Sequence, residues 1–413
     1  MAAEVKTMGS LPRTPVASAW APMREPLFRS LWIAAVISYT GTWMQNVGAG
    51  WLMTQLTLSP LMVSLVTAAT TLPVFLVMLP AGALADLVDR RRLLLITQSW
   101  MVAASAVLGI LTLLNVVTPW TLLAFTFLLG LGAVTNDPAW QAITPEIVCA
   151  ENHAPAVALN SVGFNVARAV GPALGGIVIA AAGSGWAFLL NAASFFGVIF
   201  FLYGWKRPHF EHVETGRVSD ALLAGLRYVR GAAVVRSVLI RTGAFSLAAS
   251  SLPALLPIIA RPHGATGYGL LLAGAAVLPR IRSRLSVDGV VVFAILLFAA
   301  MIFAAGRTQS FGGLSLILFA SGTAWIAILA CLNVAAQTMS PSFLRARALS
   351  IYLLVLQGGM ALGATAWGAL ATRFGVPQAL LFSALALAAG LATVPRHRLT
   401  SHELKFTPSI VRD

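Results

Sequence analysis

Two ionisable residues, Asp137 and Arg168, lie inside long apolar stretches of this 413-residue chain and are its first candidates for chemistry. Of the thirteen acidic residues, Asp137 alone falls inside such a stretch, and Arg168 is the only deeply placed cation. If such a stretch crosses a membrane, a charge inside it is costly and is therefore usually functional. Because arginine is long and the two stretches are consecutive, the guanidinium could approach the carboxylate. Three interpretations stay open: Asp137 exchanges a proton when substrate displaces its partner, the pair is structural, or Asp137 is solvated and unpaired.

Amide and indole side chains in the same stretches form a second group of candidates. An amide inside a membrane span either binds a neighbouring helix or lines a cavity, whereas a tryptophan near the end of a span usually belongs to the interfacial belt. We expect Arg168 to line the same cavity as these amides. The sequence predicts a substrate cavity with five further candidate residues, which are Gln45, Asn46, Trp140, Asn165 and Asn333.

The composition indicates what kind of element carries these residues. The chain is 58% hydrophobic and only 10% charged, whereas a soluble domain is about 25% charged. A water-soluble fold is therefore excluded, and a polytopic α-helical membrane protein is expected. The net charge of +14 indicates basic cytoplasmic loops rather than a nucleic-acid partner. Two cysteines are too few for a disulfide framework.

Apolar stretches long enough to cross a membrane recur along the chain, with six on each side of a polar segment that is rich in charged residues and histidine. This pattern predicts an all-α protein with twelve transmembrane helices in two pseudo-symmetric six-helix bundles. The predicted parts are an N-terminal tail at 1–26, a first bundle at 27–205, a linker at 206–236, a second bundle at 237–394 and a C-terminal tail at 395–413.

The eighth stretch, near 264–278, is short, because a helix of this length would extend only about 22 Å. Counting it as a span nevertheless places nearly all Lys- and Arg-rich segments on one side of the membrane, as the positive-inside rule requires. Omitting it would put the later basic clusters on opposite faces. The charge pattern therefore predicts a multi-pass protein of the plasma membrane with both termini in the cytoplasm.

A short sequence repeat relates the two predicted bundles. Gln141–Pro145 has a counterpart at Gln337–Pro341, and each lies at the predicted cytoplasmic end of the fourth helix of its half. Each is followed by a glycine-rich helix. Membrane proteins built from two such repeats bind their substrates between the halves, near the middle of the bilayer. We therefore expect the substrate cavity at that interface.

The second apolar stretch ends in a polar segment whose candidate residues are Gly82, Asp86, Arg90 and Arg91. A carboxylate at the negative end of a helix dipole needs compensation by arginines or by another helix N-terminus. The segment resembles the signature between helices two and three of the major facilitator superfamily, with Asp89 in place of its second glycine. The resemblance implies a latch: the aspartate and arginine bridge to the start of helix eleven, near Arg347–Ser350, and hold the cytoplasmic gate closed.

The fifth apolar stretch contains a glycine- and proline-rich core formed by Gly171, Pro172, Gly175 and Gly176. Glycines four residues apart let a neighbouring backbone approach closely, and proline permits a bend, so ordinary helix packing is one interpretation. The core is also similar to the antiporter signature of drug-exporting facilitators, with Ala158 and Ala167 in place of its earlier glycines. That similarity implies export.

Four further segments resemble one branch of the superfamily, the transmembrane secretion effectors that include the enterobactin exporters. They are Gly41–Gln45, Ser59–Leu61, Pro138–Gln141 and Asn165–Pro172. The resemblance extends from Pro26 to about Val394. It therefore covers both predicted bundles and the linker.

The residues and these resemblances together predict a secondary-active, proton-coupled exporter of an amphiphilic small molecule, such as a drug, siderophore or secondary metabolite. It would work by alternating access as a monomer, with the substrate, protons and the lipid bilayer as partners and without metal or cofactor. Uptake, and a transport-dead sensor or scaffold of the same fold, stay open as alternatives. An enzyme is not expected, because all six histidines lie in loops or tails. The P-loop signature is missing, so ATP is not expected to drive transport.

Overall fold

The first half of the chain folds into six long helices. The computed structural model describes residues 18–205, 233–275, 287–338 and 345–394, and every regular element in these ranges is a helix. The first six α-helices are α1 (Pro26–Leu56), α2 (Pro60–Leu87), α3 (Arg90–Leu113), α4 (Pro119–Ile143), α5 (His153–Ala182) and α6 (Ser184–Gly204). Proline starts α1, α2 and α4, where its missing N–H leaves no bond unmade.

The second half contains seven α-helices because its first span is broken. They are α7 (Ala233–Ala249), α8 (Ser251–Ile259), α9 (Gly264–Ala275), α10 (Val287–Ala305), α11 (Phe311–Thr338), α12 (Arg345–Phe374) and α13 (Val376–Gly390). The described part of α7 begins inside the segment predicted as linker, because the apolar sequence there continues the helix. Residues 276–286, which contain the end of the predicted eighth helix, lie outside the described residues.

The break between α7 and α8 falls at Ser250 and has an identifiable cause. Pro253 has no N–H, so it cannot donate to the carbonyl group four residues earlier. That group belongs to Ala249, and the two carbonyl groups before it accept hydrogen bonds from side chains of other helices: Trp367 Nε1 donates to the Leu247 oxygen over 2.7 Å, and Ser383 Oγ donates to the Ala248 oxygen over 2.8 Å. Broken helices are tolerated in membranes where neighbouring helices satisfy the backbone in this way.

The helices account for twelve membrane crossings. Among the described residues, ten helical stretches are long and apolar enough to span a membrane. One of them, Val235–Ala275, contains the turn between α8 and α9, where Gly264 adopts a φ of 71°, and so counts twice. The long helix α1 is not among the ten, but its 31 residues are enough to cross a membrane, so it is counted as the twelfth. The predicted fold of twelve helices in two bundles is confirmed.

The two halves meet along α2 against α12 and along α5 against α9. A Cβ atom added at Gly176 would lie 2.6 Å from the Ala265 carbonyl oxygen, so only glycine permits this approach. On the other side, the Leu61 N–H donates to Thr372 Oγ1 over 3.1 Å. Both contacts lie at the end of the molecule that carries the short connections at 57–59, 183 and 375, which we call the short-loop end. The opposite, long-loop end corresponds to the predicted cytoplasmic side.

Candidate substrate cavity and proton site

A cavity of about 340 Å³ lies between the two halves, and we call it the central cavity. Residues from α1, α2 and α5 form one wall, and residues from α8 to α12 form the other. Its polar lining consists of Asn46, Thr67, Thr70, Thr71, Arg168, Tyr268 and Ser321, and its aromatic lining includes Trp43, Phe298 and Trp325. The remaining lining is aliphatic, so the cavity suits a molecule with a large apolar part.

The short-loop end of the central cavity is closed by close helix packing. A Cβ atom at Gly50 of α1 would lie 2.8 Å from the Tyr268 hydroxyl and 3.2 Å from Cγ of Pro257. The next residue of α1, Trp51, stacks on Tyr268 with ring centroids 6.4 Å apart. A glycine at position 50 therefore brings the two halves together above the cavity.

The glycines predicted to serve helix packing hold α1 against α5 and α5 against α9. A Cβ atom at Gly171 would lie 2.6 Å from Trp43 Cβ, and one at Gly175 would lie 2.8 Å from Met44 Cα. Gly176 faces α9 across the interface between halves, and the carbonyl group of Pro172 contacts Gly269 there. This stripe of small residues positions Trp43 and its neighbour Asn46 at the cavity wall.

Arg168 is the one ionisable side chain of Asp, Glu, Lys, Arg or His type in the lining of the central cavity, as far as the structure describes it. It is partly buried, and no described carboxylate lies within 4.0 Å of its guanidinium. Asn46 lines the same cavity from α1. The arrangement is a cation among amide, hydroxyl and apolar groups.

Asp137 lies in a second, smaller space inside the first bundle, which we call the side pocket. Its volume is about 140 Å³, and its lining residues are Ala35, Ser38, Tyr39, Thr42, Gln98, Met101, Ala133, Asn136, Asp137, Trp140, Phe164 and Val198. Asp137 itself is exposed. The pocket therefore offers an accessible carboxylate surrounded by hydroxyl and amide groups.

The polar groups of the side pocket are only partly satisfied. Asn136 Oδ1 accepts hydrogen bonds from Gln98 Nε2 over 3.1 Å and from Thr97 Oγ1 over 3.2 Å. In the described part of the protein, the buried atoms Gln98 Oε1 and Trp140 Nε1 have no hydrogen-bond partner. Such atoms are costly when left unpaired.

Phe164 contacts one aromatic residue of the side pocket and one of the central cavity. Its ring lies edge-on to Tyr39, which lines the side pocket, with centroids 5.4 Å apart. It also lies edge-on to Trp43, which lines the central cavity, with centroids 6.4 Å apart. Asp137 and Arg168 therefore occupy different spaces, and no salt bridge joins them within the described ranges. The structure does not bring these two residues together.

Three other cavity candidates lie elsewhere. Gln45 is buried inside the first bundle, where its Oε1 accepts from Ser105 Oγ over 2.6 Å and from Asn191 Nδ2. Asn165 is exposed and donates to the Ser161 carbonyl oxygen over 2.8 Å. Asn333 accepts from Gln337 Nε2 on the same helix, α11. None of the three lines the central cavity.

The arginines of the expected latch are engaged within the first half. Arg90 Nη1 lies 2.7 Å from Glu146 Oε1, in the connection between α4 and α5. Arg91 donates to the carbonyl oxygens of Leu202 and Tyr203 at the end of α6, over 2.7 Å in each case. Gly82 has open space around its Cα. The side chains of Asp86 and of Arg345–Arg347 lie outside the described residues, so the bridge to helix eleven stays a prediction.

Sequence reasoning missed one buried charge pair in the second half. Arg241 on α7 is 4% exposed and forms an ion pair with Asp288 in the first turn of α10. Arg168 is thus not the only deeply placed cation, and this expectation was wrong. Arg241 lies close to the start of its apolar stretch, so in the sequence it looked like one of the basic residues that lie just outside a membrane span. The available signal was Asp288 at the start of the next long apolar stretch.

Twelve helices in two bundles around a central cavity are the architecture of the major facilitator fold. The chain belongs to the transmembrane secretion effector family, whose model matches residues 17–410. It is therefore a multi-pass membrane protein of a transporter family rather than of an enzyme family. The family and fold predicted from the sequence are confirmed.

Two curated relatives carry transporter names. The enterobactin exporter EntS of Salmonella typhi is 27% identical over 264 residues, which are 61% of this chain and 62% of the relative. The staphyloferrin A transporter of Staphylococcus aureus (strain NCTC 8325 / PS 47) is 27% identical over 164 residues, which are 40% of this chain and 41% of the relative. The chain thus matches less than two thirds of the length of either relative.

Solved transporters share the fold. A bacterial homologue of the human lysosomal transporter Spinster, in an inward-facing and unoccupied conformation, has a TM-score of 0.72 and 14% identity, and the match covers 90% of this chain and 96% of that one. A POT family transporter in complex with a thioalcohol-conjugated peptide has a TM-score of 0.71 and 12% identity, with 91% and 96% covered. At these identities the similarity concerns the fold alone.

Proposed function

We propose that this protein is a proton-coupled exporter that moves an amphiphilic small molecule by alternating access. The observation that carries the proposal is the mostly apolar central cavity between the halves, which is closed at the short-loop end. The substrate enters this cavity from the cytoplasm and leaves after the two halves tilt. The relatives named for enterobactin export and staphyloferrin A transport support export of a small molecule.

The proposed orientation places the long-loop end and both termini in the cytoplasm, in the plasma membrane. The positive-inside pattern supports this orientation. The contacts of Leu61 with Thr372 and of Gly176 with Ala265 then close the cavity toward the outside. Export requires that these contacts open, while the segment of Gly82, Asp86, Arg90 and Arg91 latches the cytoplasmic side. The protein acts as a monomer.

Asp137 is the proposed proton carrier, and the side pocket supports this role in two ways. Asp137 lines the side pocket and is exposed as a residue, so protons can reach it through the pocket. Ser38, Thr42 and Gln98 line the pocket beside it, and such hydroxyl and amide groups can hydrogen-bond water there. Because Phe164 contacts both spaces, a substrate that displaces its ring changes the surroundings of Asp137. This provides a physical link between substrate binding and proton exchange.

Accumulation of enterobactin, fluorescein and ethidium in cells that lack their own exporters tests the proposal. Wild-type protein should lower the accumulation of at least one compound, and a protonophore should abolish the effect. Asp137→Asn should lose about tenfold or more of this export, because a charge-assisted interaction contributes about 1.5–3 kcal/mol. Glu151→Gln, which neutralises an exposed acid in the α4–α5 connection, is the matched control and should export normally.

Each alternative gives a different result in this experiment. Asp137→Asn that exports as well as wild type under an imposed proton gradient would refute the proton role. Higher accumulation with wild-type protein than without it would indicate uptake. No effect on any compound, with protein present in the membrane, would favour a sensor or scaffold.

A further inference from the structure

We propose that the substrate carries an anionic group, such as a carboxylate, and that Arg168 binds this group inside the central cavity. The inference rests on the proposed transport function and names the chemical class of its substrate. It starts from the charges of the cavity lining, in which Arg168 is the one charged side chain within the described residues. The other polar groups there are neutral hydroxyl, amide and indole groups.

An unpaired guanidinium in an apolar space is expensive, and an anionic ligand removes much of that cost. Arginine presents five N–H donors in a planar fork that matches a carboxylate or phosphate in a bidentate arrangement. No described carboxylate lies within 4.0 Å of the Arg168 guanidinium. The protein therefore leaves this fork available to the ligand, and Asn46, on the same cavity wall, can donate a further hydrogen bond.

The position of Phe164 strengthens the selection against cations. Its ring stands between Trp43 of the central cavity and Tyr39 of the side pocket, which contains Asp137. Asp137, the intramembrane carboxylate nearest to Arg168 in the sequence, lines the side pocket and does not line the central cavity. Like charges repel strongly in a space of low polarity, so a cationic ligand would be repelled by Arg168. No carboxylate among the described lining residues offsets this repulsion.

The rest of the lining specifies the other part of the substrate. Phe298 and Trp325 lie with ring centroids 5.7 Å apart on the opposite wall from Arg168. Trp43 and Met360 add further apolar surface. The geometry fits a molecule with one anionic end at α5 and an apolar or aromatic body that extends toward α10 and α11. A cavity of about 340 Å³ accommodates a small organic acid of this kind.

Binding of three probes with the same apolar body tests the inference: 4-phenylbutyrate, 4-phenylbutyramide and 4-phenylbutylamine. Equilibrium dialysis uses the full chain in phosphatidylcholine nanodiscs, with empty nanodiscs subtracted. Wild-type protein should bind the carboxylate at least about tenfold more tightly than the amide, as expected for a charge-assisted bidentate pair, and should bind the amine most weakly. Arg168→Gln should lose this order, and Arg168→Lys should keep it with a smaller difference.

Arg307→Gln is the matched control, because Arg307 lies in the connection between α10 and α11 with its guanidinium 3.8 Å from the Phe303 ring centroid. It removes the same charge away from the cavity and should bind like wild type. Thermal unfolding of each variant checks that the fold is retained. Equal affinity of wild type for carboxylate and amide, or an unchanged preference in folded Arg168→Gln, would overturn the inference.

Added phosphatidylglycerol distinguishes a free acid from a lipid headgroup as the source of the anion. If this lipid displaces 4-phenylbutyrate from wild type, the site takes a lipid phosphate, and if it does not, the site takes a soluble acid. Both results keep Arg168 as an anion site. The assay needs neither transport nor a proton gradient, so it separates the two proposals. Transport without charge preference would refute this inference alone, and charge-selective binding without transport would refute the proposed function alone.

Discussion

The central cavity and the side pocket lie next to each other, yet they are built from opposite chemistry. The central cavity is mostly apolar and contains a cation, Arg168, whereas the side pocket is rich in hydroxyl and amide groups and contains a carboxylate, Asp137. One aromatic ring, Phe164, contacts a residue of each lining. Because Asp137 and Arg168 lie on consecutive helices, the sequence suggested that they form a pair. They line separate spaces instead, where each can bind a different partner.

This separation explains how one protein could couple two ligands. If Asp137 and Arg168 formed a buried pair, each charge would neutralise the other, and neither would need a proton or a substrate. Kept apart, each charge is stabilised only when its own ligand binds. Coupling then requires an element that both ligands displace, because a ligand shifts an equilibrium only through its differential affinity for the two states. Phe164 contacts both spaces and is the candidate for this element.

The largest expected effect is on stability, and it appears when the same substitution, arginine to glutamine, is made separately at Arg241 and at Arg168. Arg241→Gln should lower the free energy of unfolding by about 3 kcal/mol or more, because it breaks a buried ion pair with Asp288. Arg168→Gln should leave that free energy nearly unchanged or raise it, since Arg168 has no carboxylate partner among the described residues. Equilibrium unfolding in mixed micelles measures both. Equal destabilisation by the two substitutions would show that Arg168 is a paired, structural residue.

Removal of the ring between the two spaces should have the next largest effect. In Phe164→Ala the edge-on contacts with Tyr39 and Trp43 are lost, and the carboxylate of Asp137 gains access to Arg168. We expect a proton leak without substrate and a loss of coupled export of about tenfold, since two aromatic contacts together contribute about 1–3 kcal/mol. Proton flux into proteoliposomes that contain a pH-sensitive dye measures the leak.

Two further variants separate loss of the ring from loss of stability. Phe164→Tyr keeps the ring and should retain coupling. Phe196→Ala makes the same truncation on α6, where the side chain is 58% exposed, and should export normally. A Phe164→Ala protein that stays tightly coupled would mean that the two spaces communicate by another route.

Much of the fold could be predicted because membrane spans have a strong compositional signal. Runs of apolar residues and the positive-inside pattern indicated the helices, including the short α9 from Gly264. The break at Ser250 was not predicted, because Pro253 alone does not reveal whether a helix bends or stops. That outcome depends on Trp367 and Ser383, which supply hydrogen bonds from distant parts of the chain.

The site was harder to predict because a helix that is apolar on all sides gives no indication of which face meets the substrate. Asn46 and Arg168 line the central cavity, but Gln45 points into the first bundle, and nothing in the local sequence distinguishes these faces. Likewise, helices α4 and α5 are consecutive, which favoured contact between Asp137 and Arg168. The intervening ring of Phe164 follows from the three-dimensional packing of α5 against α1.

The smallest expected effect compares two neighbouring amides on α1. Asn46→Ala should weaken substrate binding by about threefold to tenfold, the range for loss of one hydrogen bond of about 0.5–1.5 kcal/mol, and leave unfolding unchanged. Gln45→Ala should do the reverse, because it deprives Ser105 and Asn191 of their shared acceptor and leaves substrate affinity intact. Dialysis with 4-phenylbutyrate and unfolding in mixed micelles, run on both variants, separate the two roles. If Gln45→Ala lowered substrate affinity as much as Asn46→Ala does, Gln45 would contact the substrate. Gln45 would then line the central cavity, and its assignment to the interior of the first bundle would be wrong.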